Sequence, residues 1–145
     1  MIIYLDTSAA MKLFVEEVES AALSRYVASM DDSPDVYLAA SWLLHTELHR
    51  AAQRHPDAVD AASVATLLGA VSLVDITRGD LLTAGSLPGR LRSHDAIHLA
   101  VALRIGADTV LAYDAELLEA ANGAGLATES PRSIKRATRS RPPHD

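Results

Sequence analysis

Four acidic residues, Asp6, Glu47, Asp95 and Asp114, fall where alternating strands and helices would bring carboxylates to one edge of a sheet. Asp6 ends the apolar run Ile2, Ile3, Tyr4, Leu5, and Asp114 directly follows the run Thr109 to Tyr113. Asp95 lies in the first turn of a helix that Ser93 opens. Glu47 lies about six residues into a helix starting at Trp42, roughly 8 Å along its axis. Taken singly, Asp6 and Asp114 have an ordinary alternative, since each can cap the helix that follows it. Taken together, the four pose an electrostatic problem. Two carboxylates about 4 Å apart repel by roughly 4 kcal/mol at an effective dielectric of 20, so the set needs a cation, proton uptake or wide spacing. No Lys or Arg directly adjoins any of the four. Hard oxygen ligands without sulfur suit Mg²⁺ or Mn²⁺, which keep several waters and leave room for a phosphate. Asp6 and Asp95 are the first choice as direct ligands, with Asp114 and Glu47 completing the site or holding its waters. Such an ion lowers the pKa of bound water and neutralises charge building on a phosphate under in-line attack.

The elements that must position these acids can be read from periodicity. Unbroken apolar runs predict buried strands at Ile2 to Leu5, Val36 to Ala40, Val71 to Ile76 and Thr109 to Tyr113, with a last strand near Leu126. Helical spacing recurs through Leu13, Phe14, Ala21, Ala22, Tyr26 and Met30. It predicts further helices from Trp42 to about His55, Ala58 to Leu68, Thr77 to Leu87, Ser93 to Ile105 and Ala115 to Ala121. Ser41, Thr77 and Asp114 suit N-caps, and Gly106 suits the left-handed residue after a helix. Strands alternating with helices throughout predict an α/β fold, a central parallel sheet with helices on both faces. Right-handed crossovers would bring the four acids to one rim of that sheet.

Composition narrows the class. At 145 residues the chain is expected to form one domain, residues 1–130, followed by a basic C-terminal tail, 131–145, read as a solvated, flexible end. The net charge of −6 is unevenly placed: five basic residues against one acid give the last fifteen residues +4 and leave −10 for the rest. The absence of cysteine excludes disulfides and Cys-ligated zinc. No basic n-region or long apolar stretch predicts a signal peptide or membrane span, so a cytoplasmic protein is expected. His94 with His98 and His45 with His49 have the four-residue spacing of zinc ligands, but neither pair has Glu directly after its first His, as a zinc peptidase requires. These histidines are read as helix-surface or pocket-rim groups, with His98 nearest the pocket. A receiver domain lacks its late-strand Lys, since the only lysines are Lys12 and Lys135, and no phosphate-binding glycine loop occurs.

Leu5-Asp6-Thr7-Ser8-Ala9, the stretch Leu44-His45-Thr46-Glu47-Leu48, the stretch from Leu91 to Ala100 around Asp95, and Tyr113-Asp114-Ala115-Glu116-Leu117 together carry a family resemblance. The chain resembles the PIN domain, and especially its VapC-type toxins, over nearly its whole length. The resemblance implies a Mg²⁺-dependent endoribonuclease, the toxin of a VapBC-type pair, with Asp6, Glu47, Asp95 and Asp114 in the catalytic pocket and Thr7 and Ser8 auxiliary. It also implies a cognate VapB-type antitoxin that often brings an Arg toward the acids, a homodimer, and an RNA substrate. Many relatives carry Thr two residues before the last Asp, where this chain has Ala112. Arg90 and Arg92, just before Asp95, are candidate substrate-binding residues. The competing expectation is a catalytically inactive PIN-fold module that binds protein or RNA.

Overall fold

A computed structural model describes residues 1–15 and 17–132. Lys135, Arg136, Arg139 and Arg141 of the basic tail lie outside the described residues. The strands are β1 (Ile2–Leu5), β2 (Tyr37–Ser41), β3 (Ser72–Val74), β4 (Thr109–Leu111) and β5 (Ala127–Glu129). All pair in parallel, in the order β3-β2-β1-β4-β5. Consecutive residues of a strand point to opposite faces. In β1 the successive residues Ile3, Tyr4 and Leu5 are all buried, so both faces of the central strand are covered. This is the α/β architecture that the unbroken apolar run predicts.

The helices are α1 (Thr7–Met11), α2 (Ser20–Ala28), α3 (Trp42–Arg54), α4 (Ala61–Gly69), α5 (Arg78–Ser86), α6 (Ser93–Arg104) and α7 (Ala115–Gly123). The helical spacing from Leu13 to Met30 resolves into one helix, α2, and a 3-10 turn at Ser29–Asp32, with Leu13 and Phe14 lying just beyond the end of α1. The helix expected from Ala58 begins later, at Ala61. The amides of Ala58 and Val59 turn back to the His55 carbonyl, and the Asp60 carboxylate caps by accepting from the Ser63 amide at 3.0 Å. Gly106 ends α6 with φ +67, as its position predicts.

Helix α6 organises the molecule. It packs against α5, α7 and β2, and its buried residues include Ala96, Leu99, Ala100, Val101 and Ala102. The small side chains let neighbouring helices close in, while Leu99 adds apolar burial of about 1.5–3 kcal/mol. Its last turn is pinned by an ion pair between exposed Arg104 and the buried carboxylate of Asp80. Asp80, which completes a capping box with Thr77, also accepts from Arg104 Nε at 2.8 Å, and Arg104 Nη2 donates to the Asp75 carbonyl at 2.8 Å. The N-terminal turn of α6, which carries Asp95, is thus set on a helix held at its far end.

Candidate active site

The strand order contains a switch point. From β1 the chain moves outward to β2 and β3, then returns to β4 on the other side of β1 and continues to β5. The crevice outside the carboxyl ends of β1 and β4 is where ligands bind in open parallel sheets. Asp6 directly follows β1 and Asp114 lies three residues beyond β4.

Asp6 is buried and caps α1. Its Oδ2 accepts from the Ser8 amide at 3.0 Å and the Ser8 hydroxyl at 2.6 Å. Ser8 Oγ in turn accepts from the Tyr113 amide at 3.0 Å, so one hydroxyl ties Asp6 to the loop that presents Asp114. This bond also explains why β4 stops short of the expected Tyr113: Ala112 still donates to the Glu129 carbonyl, but the next amide is taken by a side chain. Ala112 itself, where relatives carry Thr, is fully buried. Its carbonyl accepts from Ser130 Oγ at 2.6 Å, so a hydroxyl from β5's end supports the loop there. Asp114 caps α7 through Oδ1, which accepts from the Leu117 amide at 2.9 Å. Both of these aspartates therefore cap, as their alternative reading had it, and still face the crevice.

Asp6 Oδ1 is the one buried side-chain N or O atom without a hydrogen-bond partner among the described residues. An orphaned carboxylate oxygen is costly unless a ligand completes it. Asp95, 6% exposed, lies close enough to feel both other aspartates. Burial, followed by the charges of Asp6 and Asp114, pushes its carboxyl up to about 6 against the opposing influence of His94 and His98. His94 Nε2 stands 3.4 Å from Asp95 Oδ1. No Lys or Arg among the described residues forms an ion pair with any of the four acids: Lys12 pairs with Glu17 and Glu19, Arg104 with Asp80 and Arg132 with Glu19.

Glu47 sits to one side of this cluster. Its Oε1 accepts from Thr7 Oγ1 at 2.8 Å and lies 2.7 Å from His98 Nε2. Burial alone would raise Glu47, but the bond to His98 and that from Thr7 outweigh it, and its carboxyl falls below the usual range. His98 corrects the surface or rim placement expected from spacing: it is fully buried. Its Nδ1 lies 2.7 Å from Tyr4 Oη, which accepts from the Ser41 amide at 3.0 Å. Because that amide can only donate, the chain of bonds runs Ser41 N–H to Tyr4 O–H to His98 Nδ1, leaving an Nε2–H to donate to Glu47. Burial pushes the Tyr4 hydroxyl well up and keeps its proton in place. His45 and His49 instead lie on the outer side of α3, with Trp42 packed at a tilt against His45 at 5.2 Å between ring centres.

The donor set fits a divalent cation. Asp6 Oδ1, Asp95 and Asp114 offer oxygen only, they repel one another, and one of their oxygens is buried with nothing to satisfy it. Among the described residues no three acids or histidines already stand around one point as a closed cage. Oxygen donors of this kind would suit an ion held by a few carboxylates and several waters. Arg92 stands at the N-cap of α6, close in sequence to Asp95. Arg90 lines a separate apolar cavity of about 750 Å³ with Leu87, Glu116 and Glu119.

The chain belongs to the PIN-domain family, whose sequence model matches residues 3–123. Within that family it is of the VapC type. It is 39% identical over 137 residues to Ribonuclease VapC46 of Mycobacterium tuberculosis, covering 89% of this chain and 97% of that protein. It is 37% identical over 135 residues to Ribonuclease VapC35 of the same species, covering 89% and 96%. The fold is similar to that of VapBC2 from Rickettsia felis, solved bound to a DNA fragment from their promoter. The TM-score is 0.69 at 14% identity, over 89% of this chain and 98% of that one. It is also similar to Mycobacterium tuberculosis VapC20, a Sarcin-Ricin loop cleaving toxin, with a TM-score of 0.64 at 20% identity, over 86% and 96%.

Proposed function

We propose that this chain is a divalent-metal-dependent endoribonuclease acting as the toxin of a VapBC-type pair in the cytoplasm. The observation that carries the reading is the convergence of Asp6, Asp95 and Asp114 at the switch point, with a buried Asp6 oxygen lacking a partner and Asp95 pushed up to about 6. No helix among the described residues is long and apolar enough to cross a membrane.

A bound Mg²⁺, or Mn²⁺ in its place, would supply charge neutralisation at the scissile phosphate and a water acidic enough to attack it. Asp6 and Asp95 would hold the ion, with Asp114 and Glu47 completing the site. The protein's own part is orientation. Ser8 fixes one oxygen of Asp6 and leaves the other for the ion. Thr7 and His98 both occupy Oε1 of Glu47, so this ionised carboxylate offers Oε2, which has no hydrogen-bond partner among the described residues, to position the attacking water or take its proton. Arg92, at the N-cap of α6, would steer the RNA backbone.

The products test the chemistry. Attack of water on phosphorus with the 3′ oxygen leaving gives 5′-phosphate and 3′-hydroxyl ends. Sequencing RNA 5′ ends by phosphate-dependent ligation, after induction in a bacterial cell, should recover new cleavage ends directly. A 2′,3′-cyclic phosphate on the upstream fragment would reject water as the nucleophile.

A partner prediction follows from the same acids. A guanidinium fork matches carboxylate geometry, so a VapB-type antitoxin placing an Arg at the crevice would silence it. Induction of the chain alone should arrest growth, and a small protein encoded beside it should restore growth and copurify with it. We also propose a homodimer, to be checked by light scattering. Free growth together with intact RNA and no captured partner would reject the toxin role. The inactive-module alternative has no observation in its favour, since all four acids are present and three face one crevice.

A further inference from the structure

Beside the acid cluster lies a second cavity, of about 400 Å³, whose wall is shared between the site and a basic strip of α3. Thr7 and Glu47 line it together with Arg50, Arg54 and His55. Arg50 and Arg54 are one helical turn apart, which sets their side chains side by side on one face. Both are exposed, and neither forms a salt bridge with an acid among the described residues. Two unneutralised guanidiniums opening onto a catalytic carboxylate have no structural work on the page, in contrast to Arg104, which is spent on Asp80.

We infer that Arg50 and Arg54 form a phosphate subsite that grips single-stranded RNA on the α3 side of the scissile bond. The inference rests on the nuclease reading above. A polymer whose scissile phosphate sits at Asp6, Asp95 and Asp114 must continue past Glu47 or Asp95. On the Glu47 side the wall is basic, and guanidinium forks match phosphate oxygens. Arg90 instead opens on the apolar cavity beside Glu116 and Glu119, two acids that repel a phosphate chain. The neighbouring strip of α3 offers a surface for bases. Trp42 is 46% exposed and packs at a tilt against His45, which packs at a tilt against His49 with ring centres 4.2 Å apart. Exposed aromatic faces beside a basic groove are the usual platform for single strands.

The test uses the full chain and a fluorescein-labelled, mixed-sequence 12-nucleotide RNA. In the Asp95→Asn background, which binds without cutting, adding Arg50→Glu and Arg54→Glu should weaken binding by at least about 30-fold at low salt and flatten the salt dependence by about one to two charges. Arg50→Lys with Arg54→Lys should keep most of the binding. In the otherwise unaltered chain, the Glu pair should raise KM by more than it lowers kcat, with the melting temperature unchanged. Binding and KM within threefold of the parent would overturn the subsite. So would unchanged RNA binding combined with loss of the copurifying partner, which would assign the cavity to an acidic protein segment. If the unaltered chain neither cuts nor binds RNA, the nuclease reading falls first and the subsite with it.

Discussion

Asp95→Asn is expected to lower RNA cleavage on the order of 10³-fold, while the metal-free protein becomes as stable as the parent or more so. Most substitutions at a buried site destabilise. Here the sign reverses because Asp95 carries its charge beside Asp6 and Asp114 with no Lys or Arg paired to it among the described residues. Its carboxyl is pushed up to about 6 by burial first and by those two charges next, against about 3.9 in an unfolded chain. A raised folded pKa means that the folded state binds the proton more tightly. The stabilisation it brings is complete below the unfolded value and is lost as pH rises through about 6. The metal-free parent should therefore lose about 2 kcal/mol between pH 4 and 7 from this group, and Asp95→Asn should lack that slope. Divalent ion and proton compete for the same oxygens, so Mg²⁺ affinity of the parent should climb over the same range. Thermal unfolding in chelator at pH 5 and 7.5, with calorimetric Mg²⁺ titration, reads all three effects. A variant that cuts RNA normally, or a parent whose metal-free stability rises from pH 5 to 7.5 by an amount Asp95→Asn removes, would defeat this account.

The parts of the site legible in the sequence are those written locally. An unbroken apolar run ending in Asp6, or a cap position occupied by Asp114, is a pattern of a few residues, and parallel topology carries both to one edge. The helix ends at Gly106 and Ser41 were legible for the same reason. What the sequence hid depends on pairs far apart in the chain. The sequence around Ser8 carries no sign that its hydroxyl takes the Tyr113 amide, 105 residues later. That bond also sets the end of β4, which apolarity alone placed two residues too late. His98 reads as a pocket-rim group rather than a buried one because histidine spacing on a helix says nothing about which face is buried. The available hint was its place one turn after Asp95 within a run of Ala, Leu and Val. Its partners Tyr4 and Glu47 lie 94 and 51 residues away, beyond what periodicity can join.

That hidden histidine supports the second large effect. His98→Leu should cut cleavage by about 10- to 100-fold, the range for partners that orient a metal site's ligands, and should also destabilise the fold by about 1–3 kcal/mol. The stability loss comes from the other end of the ring: Tyr4 O–H would keep its proton but lose its acceptor in a buried position. The activity loss comes from Glu47, which would keep only the Thr7 donor on Oε1 and drift upward toward an ordinary carboxyl. The two effects are separable because they use different ring nitrogens. His98→Gln can place an amide N–H near the position of Nε2 while still abandoning Tyr4, so it should share the destabilisation yet recover much of the cleavage rate. Urea unfolding and single-turnover cleavage, both run where every variant is fully folded, compare the two substitutions directly. Equal activity of the Leu and Gln variants would reduce the network to packing. A Gln variant that cuts RNA several-fold faster than the equally destabilised Leu variant would establish that His98 acts through the orientation of Glu47.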